Sequence, residues 1–370
     1  MTTALGEEPP EEPSLRLLGV DVETGELEVD VEVFAPQAWQ PGHPENSYAS
    51  PTPVASAGRL WVHFGTYGTA AFDTEALRSG STEPLWRAHN TPQEHEVGPG
   101  SSPILVQGAA AGGEDLLVVH ADATDTQALV ALDPATGDVI WRTDRFVPKD
   151  EQAYHSVAHH KAFSTPLYYV YDGTPLLLST SAAHTSAYAP ATGRELWRVR
   201  HTGYSNVPMP VAGLGFAWIN TGYMKPQLLA VRLGAERMLG DAEGPLDITQ
   251  DRVLWSYHWQ VPSNPTPLLV HRRLFLISDW GIATWLDALA GTEIWRQRLG
   301  GRYFASPLTA EGRIYVWNVQ GETKVLAASD EFEELATNPL DAPIRATPAI
   351  ACGAIFLRTT EALYRIQSPG

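Results

Sequence analysis

A strand–turn–strand unit that recurs along the chain constrains the fold more than any other feature. Its clearest copy is A-L-D-P-A-T-G-D-V-I-W-R at Ala131–Arg142. Asp133 can accept a hydrogen bond from the backbone two residues on, Pro134 fixes φ for a turn, and Gly137 supplies a position of positive φ. A β-branched and aromatic strand follows and ends on Trp141. This order of residues predicts a tight β-hairpin.

The hairpin unit returns along the chain with a tryptophan at a fixed place. Trp141 follows Asp133 by eight residues, and Trp295 follows Asp287 by the same eight. One tryptophan per repeat is best explained by packing between blades, since a buried indole removes about 150–250 Å² of surface from water. We therefore expect five docking tryptophans: Trp86, Trp141, Trp197, Trp255 and Trp295.

A second repeated unit, led by proline, lies between these hairpins. Pro53–Val62 reads as a strand, a glycine hairpin and a second strand, and proline suits the first position of a strand. Four short strands per roughly 40–50 residues predict an all-β fold, a single β-propeller of four-stranded antiparallel blades. The repeat count favours an eight-bladed pattern with an incomplete first blade. The alternative is seven blades closed by the N-terminal strand Leu27–Val33. The prolines stand at 53, 103, 166, 210, 267, 307 and 348.

Net charge, cysteine count and the length of apolar runs limit which partners and locations the chain can have. The net charge of −18 argues against nucleic acid or an anionic membrane. The single cysteine, Cys352, leaves no intramolecular disulfide. No apolar run reaches the roughly 18–20 residues that cross a membrane, and no signal peptide is visible. We expect a monomer with an acidic, proline-rich tail or loop at 1–14, a propeller at 15–366 and a tail at 367–370.

With these residues in view, the chain resembles the PQQ-like (quinoprotein-type) β-propeller repeat family. That family's mark is a strand ending A-L-D, a T-G turn and a tryptophan that docks between blades. The likeness is greatest to exported bacterial PQQ-binding-like β-propeller repeat proteins and more distant to outer-membrane-assembly lipoproteins of the BamB type. It implies an eight-bladed protein with an exported, periplasmic location. The phrases that carry it are Asn46–Pro53, Phe64–Thr69, Ser278–Thr284 and Leu363–Ile366.

The resemblance also raises the question of a quinone cofactor. Dehydrogenases of this fold use Ca²⁺ held by oxygen ligands and a catalytic aspartate near the axis. The alcohol enzymes add a vicinal disulfide, which a single cysteine excludes. No acidic cluster suggests a Ca²⁺ cage, and we interpret Asp122 and Asp125 as turn residues. We expect no cofactor, with PQQ and Ca²⁺ as the alternative.

Histidines are the remaining candidates for a metal. His155 and His159 stand at i and i+4 beside His160, a spacing that could grip a transition metal on a helix. The segment has no helix cap and leads into a strand, so an exposed polar loop is favoured. His95, between two glutamates, is interpreted in the same way. No metal site and no catalytic residue are predicted.

The long loops of the repeat fall on one predicted face, and tight turns fall on the other. Aromatic and amide side chains converging there suit a peptide or carbohydrate ligand. We predict a non-catalytic, extracytoplasmic scaffold that binds a protein or carbohydrate polymer. The alternative is a quinone- or metal-dependent oxidoreductase, or a polysaccharide-acting enzyme, on the same face. The candidate binding residues are Asn46, Tyr48, His95, Tyr204, Asn206, Tyr223, Trp259, Asn264, Asp279, Trp280, Arg302 and Arg345.

Overall fold

The regular secondary structure of the described residues is almost entirely β-strand. The computed structural model describes residues 1–5, 12–110, 112–148, 151–234, 245–340 and 342–367. Their strands form eight sheets, an eight-bladed β-propeller fold. Within these ranges the α-helices are α1 (Thr74–Arg78) and α2 (Thr249–Arg252), and neither is long enough to cross a membrane.

The chain divides into two compact units. The first unit takes residues 1–205 together with 245–247, and the second takes 206–234 together with the residues from 248 onward. The strands of the first unit's sheets, in chain order, are β1 Thr2–Leu5, β2 Ser14–Val20 and β3 Leu27–Phe34; β4 Val54–Ser56, β5 Arg59–His63, β6 Thr69–Asp73 and β7 Trp86–Ala88; β8 Ile104–Val106, β9 Leu116–Asp122, β10 Gln127–Leu132 and β11 Val139–Asp144; and β12 Leu167–Tyr171, β13 Thr174–Thr180, β14 His184–Tyr188 and β15 Glu195–Arg200.

The second unit contributes the other four sheets. Neighbouring strands within each of them are antiparallel. A short strand of the first unit, β19 (Leu246–Asp247), runs parallel to β15. The second unit's strands are β16 Val211–Gly213, β17 Phe216–Asn220, β18 Leu228–Arg232 and β20 Val253–Tyr257; β21 Leu268–Val270, β22 Arg273–Ile277, β23 Ile282–Asp287 and β24 Glu293–Arg298; β25 Leu308–Ala310, β26 Arg313–Trp317, β27 Glu322–Ala327 and β28 Glu334–Pro339; and β29 Ala349–Ala351, β30 Ala354–Arg358 and β31 Leu363–Gln367.

The proline-led units account for seven of the eight sheets. Each of the seven prolines stands directly before the first strand of a sheet, because a strand's first residue needs no ladder donor. The eighth sheet is the three-stranded β1–β3, which confirms the eight-bladed pattern with an incomplete first blade. The seven-bladed alternative is wrong, since β3 pairs with β2 and the last blade keeps its own three strands.

The start of the chain departs from the expected tail. Thr2–Leu5 forms β1 and pairs with Leu17–Ser14 of β2. The buried hydroxyl of Thr2 donates to the carbonyl of Ala49 at 3.2 Å. Backbone pairing on one edge therefore orders these four residues, while 6–11 lie outside the described residues. At the other end, Gln367 belongs to β31, and 368–370 also lie outside the described residues.

The repeated turn has the predicted chemistry. Asp133 Oδ1 accepts the Ala135 N–H at 2.7 Å, and the Gly137 N–H donates to the Asp133 carbonyl at 2.8 Å. Gly137 has φ of 80°, in the region that favours glycine. The copy at Asp287 makes the same bonds, its Oδ1 accepting the Leu289 N–H at 3.0 Å and its carbonyl accepting the Gly291 N–H at 2.9 Å. Local side-chain and backbone hydrogen bonds therefore close these two hairpins.

Four of the repeated tryptophans reach the turn of the following repeat. The indole N–H of Trp141 donates to the Pro190 carbonyl at 2.9 Å, and Trp86, Trp255 and Trp295 make the equivalent bonds at 2.9–3.1 Å. A Cβ added at Gly193 would lie 2.4 Å from Trp141 Cε3. The turn glycine therefore serves twice, for its positive φ and for the close approach of the indole. Trp197 is fully buried.

Candidate functional site

The predicted binding residues of the first unit are structural. Tyr48 is 4% exposed and stacks on Trp39 with ring centroids 5.1 Å apart. Its hydroxyl donates to the Gln40 carbonyl at 3.0 Å. Asn46 donates its amide to the carbonyls of Val97 and Pro99 at 2.7 and 3.0 Å. Both side chains fasten loops to each other and offer little surface to a ligand.

His95 is buried, which corrects its interpretation as part of a solvated loop. Its side chain is 7% exposed, and its backbone N–H donates to Gln40 Oε1 at 2.8 Å, so a distant loop covers it. Burial lowers the pKa of His95 to about 4 and that of His63 to about 3. Both rings are therefore neutral at pH 7. The flanking glutamates indicated exposure, but packing against residue 40 decides the outcome.

A small polar cavity lies beside these histidines. It has a volume of about 10 Å³, and its lining includes His63, His95, Ser101, His120 and Asp122. His95 Nε2, Ser101 Oγ, His120 Nδ1 and Asp122 Oδ1 have no hydrogen-bond partner among the described residues, while His120 Nε2 lies 3.3 Å from Asp122 Oδ2. The size matches a single water molecule.

Asp122 is not the turn residue that its spacing suggested. It ends β9, is 4% exposed and pairs with the buried Arg145 at 3.3 Å. Arg145 also donates to Ser179 Oγ at 2.7 Å. Both side chains are fully buried, so this pair belongs to the interior of the first unit. Removing either partner would leave a buried charge uncompensated. Asp125 does lie in the following loop, where its Oδ1 accepts the Glu94 N–H at 2.8 Å.

The histidine-rich segment forms two 3₁₀ turns, Gln152–Tyr154 and Val157–His159. His155 is exposed, as expected, but His160 is 4% exposed, so the exposed-loop interpretation fails for it. A ring nitrogen of His160 hydrogen-bonds the Tyr154 carbonyl at 2.7 Å. His159 stacks on Tyr204 at 4.2 Å, which gives the predicted residue Tyr204 a packing role.

The remaining predicted residues fall in the second unit and differ in exposure. Asn206 is fully buried and accepts the Gly222 N–H, so it stabilises a loop. Tyr223 is 53% exposed. Trp259 and Trp280 are 57% and 65% exposed, and large indoles in water at this level are unusual enough to ask for a reason.

The two exposed tryptophans border one open hollow of about 490 Å³. Arg296 lies over the Trp259 ring, 5.4 Å from its centroid. The cation of Arg298, the amide of Gln260 and the aliphatic side chain of Ile282 also line the hollow. The lining residues are Trp259, Gln260, Trp280, Ile282, Arg296 and Arg298.

A second aromatic–cation stack adjoins this hollow at Trp280. Arg302 lies 5.3 Å from the Trp280 centroid and 5.1 Å from the Phe304 centroid. Arg345 lies 5.6 Å from the same Phe304 ring. We name the six hollow residues together with Arg302, Phe304 and Arg345 the Trp–Arg surface. All nine belong to the second unit.

Asp279 holds the loops that carry the two tryptophans. Its Oδ2 accepts the Ser263 N–H at 2.6 Å, and its Oδ1 accepts the Asn264 amide at 2.5 Å. Its carbonyl accepts the Tyr303 N–H at 3.0 Å. Asp279 and Asn264 therefore position the rim of the Trp–Arg surface.

The structure thus brings Trp259, Trp280, Arg302 and Arg345 into the Trp–Arg surface, with Asn264 and Asp279 supporting it. Arg296, Arg298 and Phe304 also belong to this surface but were not predicted from the sequence. Arg296 and Arg298 alternate on the strand E-I-W-R-Q-R that follows the turn at Gly291. Alternation on an outer strand places them on one face, and that signal could have found them.

The described residues contain no group of three or more His, Cys, Asp or Glu side chains that could hold a metal ion. Ca²⁺ takes six to eight oxygen ligands, which include amide and backbone carbonyl oxygens as well as carboxylates. We assign no residue to quinone chemistry.

The repeats, the eight blades and the docking tryptophans define a PQQ-like β-propeller repeat protein. The chain belongs to the family of the outer membrane protein assembly factor BamB, whose family model matches residues 70–214 and 244–331. Comparison with curated proteins gives no match.

Solved structures share the fold at low identity. BamB from Moraxella catarrhalis has a TM-score of 0.60 and 13% identity, covering 99% of both chains. A europium-containing methanol dehydrogenase has a TM-score of 0.60 and 11% identity over 94% of this chain and 81% of its own. The quinohemoprotein alcohol dehydrogenase from Comamonas testosteroni has a TM-score of 0.60 and 11% identity. The match covers 93% of this chain and 67% of that chain. At these identities the similarity concerns the fold alone.

Proposed function

We propose that this protein is a non-catalytic, extracytoplasmic scaffold that binds a partner protein through the Trp–Arg surface. The family supports the general role, since BamB is named as an assembly factor. The observation that carries the proposal is the pair of indoles, 57% and 65% exposed, on one hollow rimmed by arginines. Tryptophan and arginine are the side chains most enriched among residues that dominate binding energy at protein interfaces.

Site-specific photo-crosslinking in cells that produce the protein tests this function. A photoreactive aromatic side chain, which keeps a large ring at the position, replaces Trp280 in one variant and Val139 in a control variant. Val139 is 47% exposed and begins the outer strand after a tight turn. It is therefore exposed to a similar degree as Trp280 but lies outside the Trp–Arg surface. We expect a discrete protein adduct from position 280 and none from position 139. Equal labelling at both positions, or none at position 280, contradicts the proposal.

The extracytoplasmic location has its own experiment. The full chain carries a C-terminal epitope tag, and protease is added to intact cells, to cells with a permeabilised outer envelope and to lysed cells. We expect cleavage once the outer envelope is opened while a cytoplasmic marker stays intact. Protection until the inner membrane is lysed contradicts an exported location.

We further propose that the scaffold works without PQQ or Ca²⁺. The support is that the described side chains offer no carboxylate cage and that the single cysteine excludes a vicinal disulfide. Purified protein is incubated with PQQ and Ca²⁺, and thermal unfolding and dye-linked alcohol oxidation are measured. Saturating binding of a ligand to the native state raises its stability. We expect no shift of Tm and no dye reduction. A saturable shift with alcohol-dependent reduction favours the oxidoreductase.

A further inference from the structure

We infer that the Trp–Arg surface recognises a short acidic, proline-containing peptide segment of its partner. This inference rests on the proposed function and specifies the chemistry of the partner. It follows from three features of the surface: its charge, its hydrogen-bond donors and its preset arginines.

The first feature is a local positive charge on an acidic protein. The surface carries four arginines, Arg296, Arg298, Arg302 and Arg345, against two adjoining carboxylates, Glu293 and Asp279, whereas the whole chain has a net charge of −18. Arg296 is neutralised by its ion pair with Glu293. Arg298 is exposed and has no ion-pair partner among the described residues. A negatively charged group bound at this surface would therefore lie close to arginine side chains.

The second feature is an excess of hydrogen-bond donors. A guanidinium has five N–H donors and no acceptor, and only Gln260 on the rim adds an amide oxygen. Hydroxyl groups of a neutral polysaccharide need both donors and acceptors, so they suit this surface poorly. Carboxylates only accept, and a guanidinium can bind one in a bidentate geometry.

The third feature is that the aromatic rings set the arginines in place. Arg302 lies between Trp280 and Phe304, with its guanidinium carbon 5.3 and 5.1 Å from the two centroids. Stacking orders a long side chain before a ligand arrives, which reduces the entropy lost on binding. The indoles themselves suit an extended proline-containing segment, because aromatic grooves bind polyproline II helices.

The charge of the rest of the protein limits the length of the acidic ligand. Charges interact over a Debye length of about 8 Å at physiological ionic strength. A few glutamates can stay within that distance of the arginines. A long polyanion, such as nucleic acid, an anionic polysaccharide or a charged membrane, extends over the acidic remainder of the chain and is repelled. A short peptide segment therefore fits best.

Fluorescence anisotropy with defined probes tests the inference on the full-length protein. The probe is a labelled E-E-P-P-E-E peptide, and the matched control is Q-Q-P-P-Q-Q. We expect saturable binding of the glutamate peptide that weakens as salt is raised, and at least about tenfold weaker binding of the glutamine peptide. Equal affinity for both peptides, or no binding of the glutamate peptide, overturns the inference. So does tighter binding of polygalacturonate or of anionic vesicles than of the peptide.

Variants locate the binding on the surface. Trp280→Ala and Arg298→Glu are each expected to weaken the glutamate peptide about tenfold or more, while Arg298→Lys costs less. The control is Arg142→Glu, at a half-exposed arginine of the first unit that pairs with Asp144 at 3.0 Å. Unfolding midpoints verify that the variants fold. Unchanged peptide affinity in Trp280→Ala, or an equal loss in Arg142→Glu, overturns the inference.

The crosslinked partner separates this inference from the proposed function. Mass spectrometry of the adduct at position 280 identifies the attached partner segment. An acidic, proline-containing segment supports both proposals. A neutral or basic segment overturns the inference and leaves the scaffold function standing. Absence of any adduct at position 280 overturns the scaffold function itself.

Discussion

The loops of the two units put similar side chains to opposite uses. In the first unit, Tyr48 and His95 are 4% and 7% exposed and pack among other loops. In the second unit, Trp259 and Trp280 are more than half exposed and carry arginines on their rings. Aromatic residues on propeller loops therefore do not mark a binding site by themselves. Exposure together with partnered cations distinguishes the second set.

The largest expected difference between the two regions concerns stability. Tyr48→Ala removes a stacked ring and a hydroxyl that donates to Gln40, and we expect it to lower the free energy of unfolding by about 3 kcal/mol. Tyr48→Phe keeps the ring and should cost about 1 kcal/mol. Trp280→Ala, in water, should cost less than about 1 kcal/mol. Urea unfolding of the three variants measures this.

Equal destabilisation by Tyr48→Ala and Trp280→Ala would break the comparison. It would mean that Trp280 supports its own unit as Tyr48 supports the other. The scaffold surface would then have to be sought elsewhere among the exposed residues. Retained peptide binding in Tyr48→Phe completes the control, because that substitution lies outside the Trp–Arg surface.

Acid should affect the two units unequally. Burial lowers the folded-state pKa of His95 to about 4, below the unfolded value of 6.5, so the folded state favours the neutral ring. That contribution to stability is present above pH 6.5 and is lost as the pH falls toward 4. By pH 5 we expect His95 alone to account for about 2 kcal/mol. Burial also lowers the pKa of four other histidines, and all of them belong to the first unit: His63, His120, His184 and His201.

Hydrogen exchange at pH 7 and pH 5 checks this prediction unit by unit. We expect protection to fall first in peptides that cover His63, His95 and His120, and the loss to be smaller in His95→Gln. Protection that is independent of pH in these peptides would contradict it. So would a larger loss around His258 of the second unit than around His95.

The sequence predicts the strands and turns of the blades well because hydrogen bonds between residues close in the sequence form them. Asp133, Pro134 and Gly137 close their hairpin with bonds inside six residues. The proline before each sheet marks a strand that needs no donor at that position. These signals depend on residues close together in the sequence, so the strands and turns of each repeat can be predicted from that repeat alone.

Loop burial could not be predicted in the same way. His95 stands between two glutamates, yet Gln40, 55 positions away, covers it. The spacing of Asp122 and Asp125 predicts a turn, but Asp122 pairs with Arg145, 23 positions later in the chain. Trp280 and Arg302 could be proposed from the sequence because an aromatic and a cationic residue stand there in predicted loops. Phe304 and Arg298 were missed because their roles depend on which rings and cations meet in the folded second unit.

The smallest expected effect compares two amides that fasten loops in the two regions. Asn46 donates to two carbonyls in the first unit, and Asn264 donates to Asp279 beneath the Trp–Arg surface at 2.5 Å. Asn46→Ala leaves two carbonyls to be satisfied by water and should cost about 1–2 kcal/mol of stability with no change in peptide affinity. Asn264→Ala should cost less than about 1 kcal/mol.

Because Asn264 acts on the Trp–Arg surface through Asp279 and is not one of its nine residues, its substitution should weaken binding of the glutamate peptide only two- to threefold. The affinity should fall by the same factor at low and high salt, since no charge on the surface changes. A larger loss that grows as salt is lowered would mean that Asn264→Ala disturbs the arginines themselves. A loss of affinity in Asn46→Ala would show that the loops of the first unit also shape the binding surface, and the contrast between the two units would then fail.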